Sequence, residues 1–147
     1  MSKIFNSMYE VSLRILIQLF ILDGNKKSSD YISSLDYLSL YSKTFHFGEY
    51  NLHGNNPYRL GELSSRLDVG KKSLKYLVAN GFCNVEIDND GMVYRITESG
   101  RKVVEDFKTQ YAFAYMNLAI DTQDYFKECS EIQILKYING ISRQEGI

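Results

Sequence analysis

Apolar residues repeat at helical spacing over two segments near the start of the chain. The first segment covers residues 7–22, where Asn6 or Ser7 can cap the helix. The second segment ends near Tyr41, and its candidate caps lie at residues 28–30. We therefore expect two helices that each bury one apolar face in a core.

A segment without a regular period, residues 42–58, follows these helices. It contains both histidines and the only proline, and long irregular loops in compact domains are usually functional or ordered by a partner. His53 and Tyr58 are therefore candidate partner contacts, although a structural hydrogen bond is equally open for His53. Arg59 is expected to pair with Glu62 inside the domain, because half-buried arginine is usually paired.

The order of elements predicted over residues 59–120 is that of a winged helix-turn-helix unit. A short helix, a turn at residues 68–70 and a second helix ending at Gly81 come first. A two-stranded hairpin that turns at residues 89–91 follows, and Thr97 is expected to cap the next helix.

The last third of the chain carries more apolar surface than one core requires. We expect a helix from Glu98 to about Ile120 and a final helix from about Thr122 to Asn139. Part of their surface is expected to face a partner, unless the two helices bury each other; tyrosine, with twelve copies in the chain, suits interfaces. The candidate contact residues are Phe113, Tyr115, Met116, Tyr125, Phe126, Ile134 and Tyr137.

Composition indicates a single cytoplasmic domain. The chain has 147 residues, of which 44% are hydrophobic, so it can form one core but not two large ones. The two cysteines lie far apart without zinc-ligand spacing, and the apolar run over residues 11–22 is shorter than the ~20 residues of a membrane span. No cofactor, metal or membrane contact is expected.

The expected fold is therefore mainly α. N-terminal helices and a loop occupy residues 1–58, the winged helix-turn-helix unit with its two-stranded hairpin occupies residues 59–120, and a C-terminal helix and tail occupy residues 121–147. We expect all three parts to form one domain.

Basic residues concentrate around the predicted recognition helix, although the formal net charge of the whole chain is −1. The candidate nucleic-acid contacts are Arg66, Lys71, Lys72, Lys75 and Tyr76. The hairpin carries three acidic residues against one arginine, whereas a wing that enters a minor groove is normally basic. The pattern therefore favours weak, non-specific contact with DNA over reading of a base sequence.

Catalytic motifs are absent from the sequence: it contains no GxSxG, HExxH, Walker loop or dinucleotide fingerprint. His53 or His46 could join Asp36 and a serine in a hydrolytic site, but almost any chain offers those residue types. We therefore interpret the histidines as structural or partner contacts and expect no enzymatic activity.

Two stretches of the chain resemble a known bacterial family. They are Leu35–Ser42, with the sequence LDYLSLYS, and Asn51–Leu63, with the sequence NLHGNNPYRLGEL. Together with Gly81, Tyr94 and Thr97, they are similar to the middle component of bacterial ABC-three-component systems, the small subunit of Lamassu-type anti-phage and anti-plasmid defence operons.

That resemblance implies a non-catalytic adaptor between a coiled-coil, SMC-like ABC-type ATPase and an effector such as a nuclease. The ATPase would sense DNA, and this chain would transmit or restrain the signal. The alternative is a winged-helix transcriptional regulator, because Tyr94–Arg101, with the sequence YRITESGR, is typical of such proteins. Those regulators dimerise through terminal helices, so a homodimer stays open. A small hydrolase is the third interpretation.

Overall fold

The fold is mainly helical with one antiparallel hairpin, as predicted. A computed structural model describes residues 7–54, 62–89 and 91–144, and over these ranges it contains six helices and two strands. None of the described helices is long and apolar enough to cross a membrane. The elements are α1 Met8–Leu22, α2 Ser29–Leu40, α3 Glu62–Ala79, β1 Cys83–Asp88, β2 Gly91–Ile96, α4 Glu98–Glu105, α5 Gln110–Tyr125 and α6 Glu131–Gln144.

Local signals in the sequence fix most helix ends. Ser7, Ser28 and Thr97 cap α1, α2 and α4, and each side chain accepts a hydrogen bond from the backbone amide three residues further on. Gly81 follows α3 with φ of +77°, a left-handed conformation that glycine adopts without strain. These four predictions are confirmed.

The turn predicted at residues 68–70 is wrong, because α3 is one continuous helix through Gly70. A Cβ atom at Gly70 would lie 1.8 Å from the Oγ atom of Ser33 in α2. This glycine therefore allows two helices to approach each other rather than reversing the chain. The predicted helix-turn-helix is absent here, and the hairpin follows a single long helix.

The helix predicted from residue 98 to about residue 120 is divided in two. α4 ends at Glu105, and Thr109 caps α5 by accepting a hydrogen bond from the Ala112 amide at 3.0 Å. Phe107, between the helices, packs against the core. Helix α5 continues to Tyr125, past the predicted end at about Ile120. Helix α6 begins at Glu131, later than the predicted start at about Thr122.

The pair of helices α1 and α2 forms the centre of the molecule. Helices α3 and α5 each pack against both of them and hardly against each other, so the pair lies between α3 and α5. The hairpin packs on α1, α2 and α3, while α6 packs on α2. Lys27 adds a single β-bridge to Tyr94, at the outer edge of β2.

Candidate functional site: a buried polar network and two exposed apolar surfaces

An ion pair is buried between the two central helices. The Arg14 Nε atom lies 2.9 Å from Asp36 Oδ1, and the two side chains are only 1% and 4% exposed. Tyr115 of α5 donates its hydroxyl to the same carboxylate at 2.6 Å. Burial would raise the pKa of Asp36, but the charge and hydrogen bond of Arg14 outweigh it and hold that pKa below its usual value.

Further hydrogen bonds extend this ion pair along α5. The Gln18 amide donates to Ser39 Oγ at 2.9 Å and to the Tyr115 hydroxyl at 2.8 Å. Ser39 and Thr122 join their hydroxyls at 3.0 Å, and Gln123 donates to the side-chain oxygen of Gln18 at 2.9 Å. Each polar group finds a partner, as burial requires. We call this set the buried polar network; it consists of Arg14, Gln18, Asp36, Ser39, Tyr115, Thr122 and Gln123.

His53 joins the loop after α2 to this region. Its Nε2 atom lies 2.6 Å from the Tyr111 hydroxyl of α5, and its ring stacks on Tyr111 with centroids 5.9 Å apart. Burial, together with the nearby charge of Arg14, lowers the pKa of His53 to about 4. The structure therefore places a neutral imidazole inside the domain, where it fastens the loop to α5.

Arg66 is not on the surface that the sequence suggested. Its side chain is 9% exposed, pairs with Glu62 at 2.8 Å and lies over two tyrosine rings at 5.4 and 5.5 Å. These ordered partners already occupy the guanidinium, which disfavours the predicted contact of Arg66 with nucleic acid. Glu62 was expected to pair with Arg59; both Arg59 and Tyr58 lie outside the described residues.

The other candidate nucleic-acid contacts lie on the exposed side of α3. Lys71 pairs with Asp30 at 2.9 Å, and Lys72 pairs with Asp68 at 3.2 Å. Within the described ranges Lys75 forms no ion pair, and Tyr76 is 37% exposed. Two of the lysines are thus already neutralised, which weakens any field that would attract phosphate.

Three of the predicted partner contacts are part of the core instead. Tyr115, Phe126 and Ile134 are 0%, 2% and 0% exposed, so their assignment to a partner surface is corrected. Tyr137 is half-buried and donates its hydroxyl to the Phe45 carbonyl, which makes it a structural contact. Many of the apolar side chains of the last two helices are therefore buried within the chain itself.

The remaining candidates lie at the surface. Tyr125 is 56% exposed and stacks on Phe47 with ring centroids 5.1 Å apart. Phe113 and Ile120 are 55% and 46% exposed, and half-buried Met116 lies between them at helical spacing. We call Phe113, Met116 and Ile120 the α5 stripe; Ile120 was not among the predicted contact residues.

A second apolar surface lies between α3, the hairpin and the start of α2. It is a cleft of about 750 Å³, which we call the α3–hairpin cleft. Apolar side chains of α3 and the hairpin face it, and charged groups from α2, α3 and α6 surround them. Its lining residues include Asp30, Lys71, Lys75, Val85, Met92 and Glu131.

Comparison with known proteins supports the resemblance to the middle component of ABC-three-component systems. The family model described as ABC-three component (ABC-3C) system Middle Component 2 matches residues 4–146. No curated protein and no solved structure matches the chain. Because the match covers nearly its whole length, the chain belongs to the family of middle component 2 of ABC-three-component systems.

Proposed function

We propose that this chain is a non-catalytic adaptor that joins a coiled-coil, SMC-like ABC-type ATPase to an effector in a Lamassu-type defence system. Membership of a three-component family supports the presence of other subunits. The LDYL and NLHGNNPYRLGEL stretches support the finer assignment to that type of defence. In this arrangement the chain contributes binding surfaces, and its partners contribute chemistry.

The α5 stripe is the observation that carries this proposal. Phe113, Met116 and Ile120 lie on one side of the helix, with two large side chains about half exposed. Exposed apolar residues that cluster on one helix face are typical of protein interfaces, and aromatic residues often dominate their binding energy. Since α5 lies across the α1–α2 pair from α3, a partner on the stripe leaves the α3–hairpin cleft open to another.

The side chains considered for catalysis are engaged in other contacts. Asp36 is bound by Arg14 and Tyr115, not by a histidine, and His53 contacts Tyr111. Those contacts favour a structural role for these groups over a hydrolytic site.

The regulator alternative has weaker support. Its recognition helix would be part of the continuous helix α3, where ion pairs neutralise two of the exposed lysines. We accordingly include in the proposal that the isolated chain contacts duplex DNA weakly and only at low salt.

Co-expression with the ATPase and effector components of the same system tests the proposal. We expect one complex of all three chains by size-exclusion chromatography with light scattering. Phe113→Asp should remove a component from that complex while the chain stays a folded monomer. Ile132→Asp is the matched control, because Ile132 is 64% exposed but lies on α6, outside the stripe; it should leave the complex intact.

Two results would overturn the proposed function, and a third would overturn the role of the α5 stripe in it. If the wild-type chain co-elutes with neither component, the adaptor function is wrong. If it binds one duplex sequence with nanomolar affinity at physiological salt, the regulator alternative replaces it. If Phe113→Asp and Ile132→Asp both leave the complex unchanged, the α5 stripe is not a contact surface.

A further inference from the structure

We propose that the α3–hairpin cleft binds an amphipathic segment of a partner protein, which inserts apolar side chains and places a carboxylate at Lys75. This inference rests on the proposed function, since an adaptor needs a second contact surface besides the α5 stripe. It adds to that function the chemistry of the segment that this surface selects.

The hairpin supplies an apolar face that extends beyond the core. Cys83, Val85 and Ile87 share one face of β1, opposite Ile96, Tyr94 and Met92 on β2. At the base of the hairpin Cys83 is 1% exposed, whereas Met92 and Ile87 near the turn are 53% and 82% exposed. The alternation of apolar residues along the two strands therefore continues toward the turn, where the core no longer covers it. The part of this face near the turn is available to another chain.

Helix α3 forms the facing wall. Lys71, Lys75 and Val78 follow one another at helical spacing and all line the cleft, together with Val85 of the hairpin. The cleft thus has apolar residues on both walls and two lysines on the α3 wall. A volume of about 750 Å³ accommodates several side chains of a docked segment.

The charges around the cleft are not equally available. The Asp30 carboxylate pairs with Lys71 at 2.9 Å, and the Glu131 carboxylate contacts the Ser28 hydroxyl. Lys75 forms no ion pair with any residue that the structure describes. The Ser28 hydroxyl does not neutralise Glu131, so the charges that line the cleft balance overall. Lys75 is nevertheless the lining cation without a carboxylate partner among the described residues, and a carboxylate is the group that complements it there.

The same charges favour a protein segment over nucleic acid. A phosphate backbone gains most from a stripe of unpaired basic residues, whereas the carboxylates of Asp30 and Glu131 line this cleft together with its two lysines. The apolar side chains of Val85 and Met92 would gain nothing from phosphate or sugar. An amphipathic peptide satisfies both parts of the surface, because its apolar side contacts the walls and its acidic side meets Lys75.

Backbone geometry indicates that the segment docks through its side chains. Lys27 already pairs with the outer edge of β2, since Tyr94 donates to the Lys27 carbonyl at 2.8 Å and accepts from the Lys27 amide at 3.2 Å. That position of the edge is closed to an added strand. At the β2 edge, docking through side chains is therefore favoured over an added strand.

Overlapping peptides that cover the ATPase and effector components provide the test. Binding to the full isotope-labelled chain is measured by fluorescence anisotropy, and the site is mapped by amide chemical shifts. We expect a peptide with apolar and acidic residues to shift the amides of Lys75, Val85 and Met92. Lys75→Glu should weaken its binding about tenfold, which corresponds to about 1.4 kcal/mol.

Lys72→Glu is the matched control. It makes the same change in net charge on the same helix, but Lys72 lies outside the cleft and pairs with Asp68. It should change the affinity less than twofold. Replacing the acidic residue of the peptide with lysine should restore binding to the Lys75→Glu chain, because the charge pair is then reversed.

Three outcomes would overturn the inference. The first is equal weakening by Lys75→Glu and Lys72→Glu. The second is a duplex DNA that shifts the same amides at physiological salt, which would make the cleft a nucleic-acid surface. The third is a three-chain complex that forms normally with Lys75→Glu while no peptide reaches the cleft; there the adaptor function stands and the cleft assignment fails. Failure of the wild-type chain to form any complex would instead reject the proposed function.

Discussion

The two faces of α5 have an unusual distribution of polarity. The inner face brings Tyr115 and Thr122 into hydrogen bonds with α1 and α2, among buried apolar neighbours. The outer face leaves Phe113 and Ile120 about half exposed. A helix that served only the core of this chain would have no need of the exposed apolar residues.

The inner face of α5 stabilises the packing of the chain itself, whereas the outer face presents apolar surface that the packing does not use. Buried hydroxyls and charges add little net stability when satisfied, but they are costly to leave unpaired, so the inner face specifies how α1, α2 and α5 fit. Exposed apolar groups on the outer face contribute little to the monomer. Substitutions on the two faces should consequently affect different measurements.

Asp36→Ala should have the largest effect on stability. It leaves the Arg14 guanidinium, 1% exposed, without its carboxylate, and breaking a buried ion pair from one side costs ~3–5 kcal/mol. The free energy of unfolding is measured by urea denaturation. Asp124→Ala, on the exposed side of α5, should cost less than ~0.5 kcal/mol. Similar losses in both variants would contradict the contrast between the faces.

The pH dependence of unfolding tests the His53 contact. The unfolded chain binds a proton at His53 near pH 6.5, whereas the folded chain binds it only near pH 4. Between these values the unfolded state carries more protons, so stability should fall as the pH falls from 6.5 to 4. The loss should reach about 2–3 kcal/mol.

His53→Phe should remove that part of the pH dependence, and thermal melts across the range provide the measurement. His46→Asn is the control, because His46 is exposed and its positive φ of 66° suits asparagine. An unchanged slope in His53→Phe would show that other groups cause the acid sensitivity.

Tyr115→Phe should have an intermediate effect. The change removes one hydroxyl that donates to Asp36 and accepts from Gln18. Loss of such a buried hydrogen-bonding group costs about 1–3 kcal/mol, measurable by urea denaturation. Tyr76→Phe, at an exposed position on α3, should stay within about 0.5 kcal/mol of wild type. A neutral Tyr115→Phe would show that the hydroxyl is dispensable to the network.

Phe113→Ser should have the smallest effect on the monomer. The side chain is 55% exposed, and serine is about as good a helix former as phenylalanine, so stability should change by less than about 0.5 kcal/mol. The same variant should lose partner binding in the co-elution measurement. A destabilisation above about 2 kcal/mol would place Phe113 in the core and leave the outer face without a special role.

Local chemistry accounts for what the sequence predicted well. Caps at Ser7, Ser28 and Thr97 and the left-handed Gly81 act within a few residues of their own position, so the chain around them is sufficient evidence. The hairpin is predictable for the same reason. Its turn and its alternating apolar residues form one short pattern.

Long-range contacts account for what was missed. Gly70 carries the same local signal as a turn, and only the position of Ser33 shows that it serves helix packing instead. Likewise, Tyr115 and Asp36 are 79 residues apart, so no window of sequence joins them. Arg14 did offer a signal, because a charge within an apolar helix must find a buried partner.

The candidate surfaces were predicted in part. Phe113 and Lys75 are exposed, as their proposed contacts require, whereas interactions that sequence spacing does not reveal bury Tyr115 and half-bury Arg66. Hydrophobic periodicity predicts which residues of a helix share one face. It does not say which neighbouring helices cover that face, and α5 is covered on one side only.

Gly70 also determines which side chains the α3–hairpin cleft can admit. Asp30 lies one turn before Ser33 on α2, and Lys71 follows Gly70 on α3, so the close contact at Gly70 sets the distance between two walls of the cleft. A methyl group at this position would push the helices apart and separate the Lys71–Asp30 pair. For the docking proposed above, a chain with the same fold and alanine there would accept bulkier side chains in the docked segment, although no residue that lines the cleft had changed.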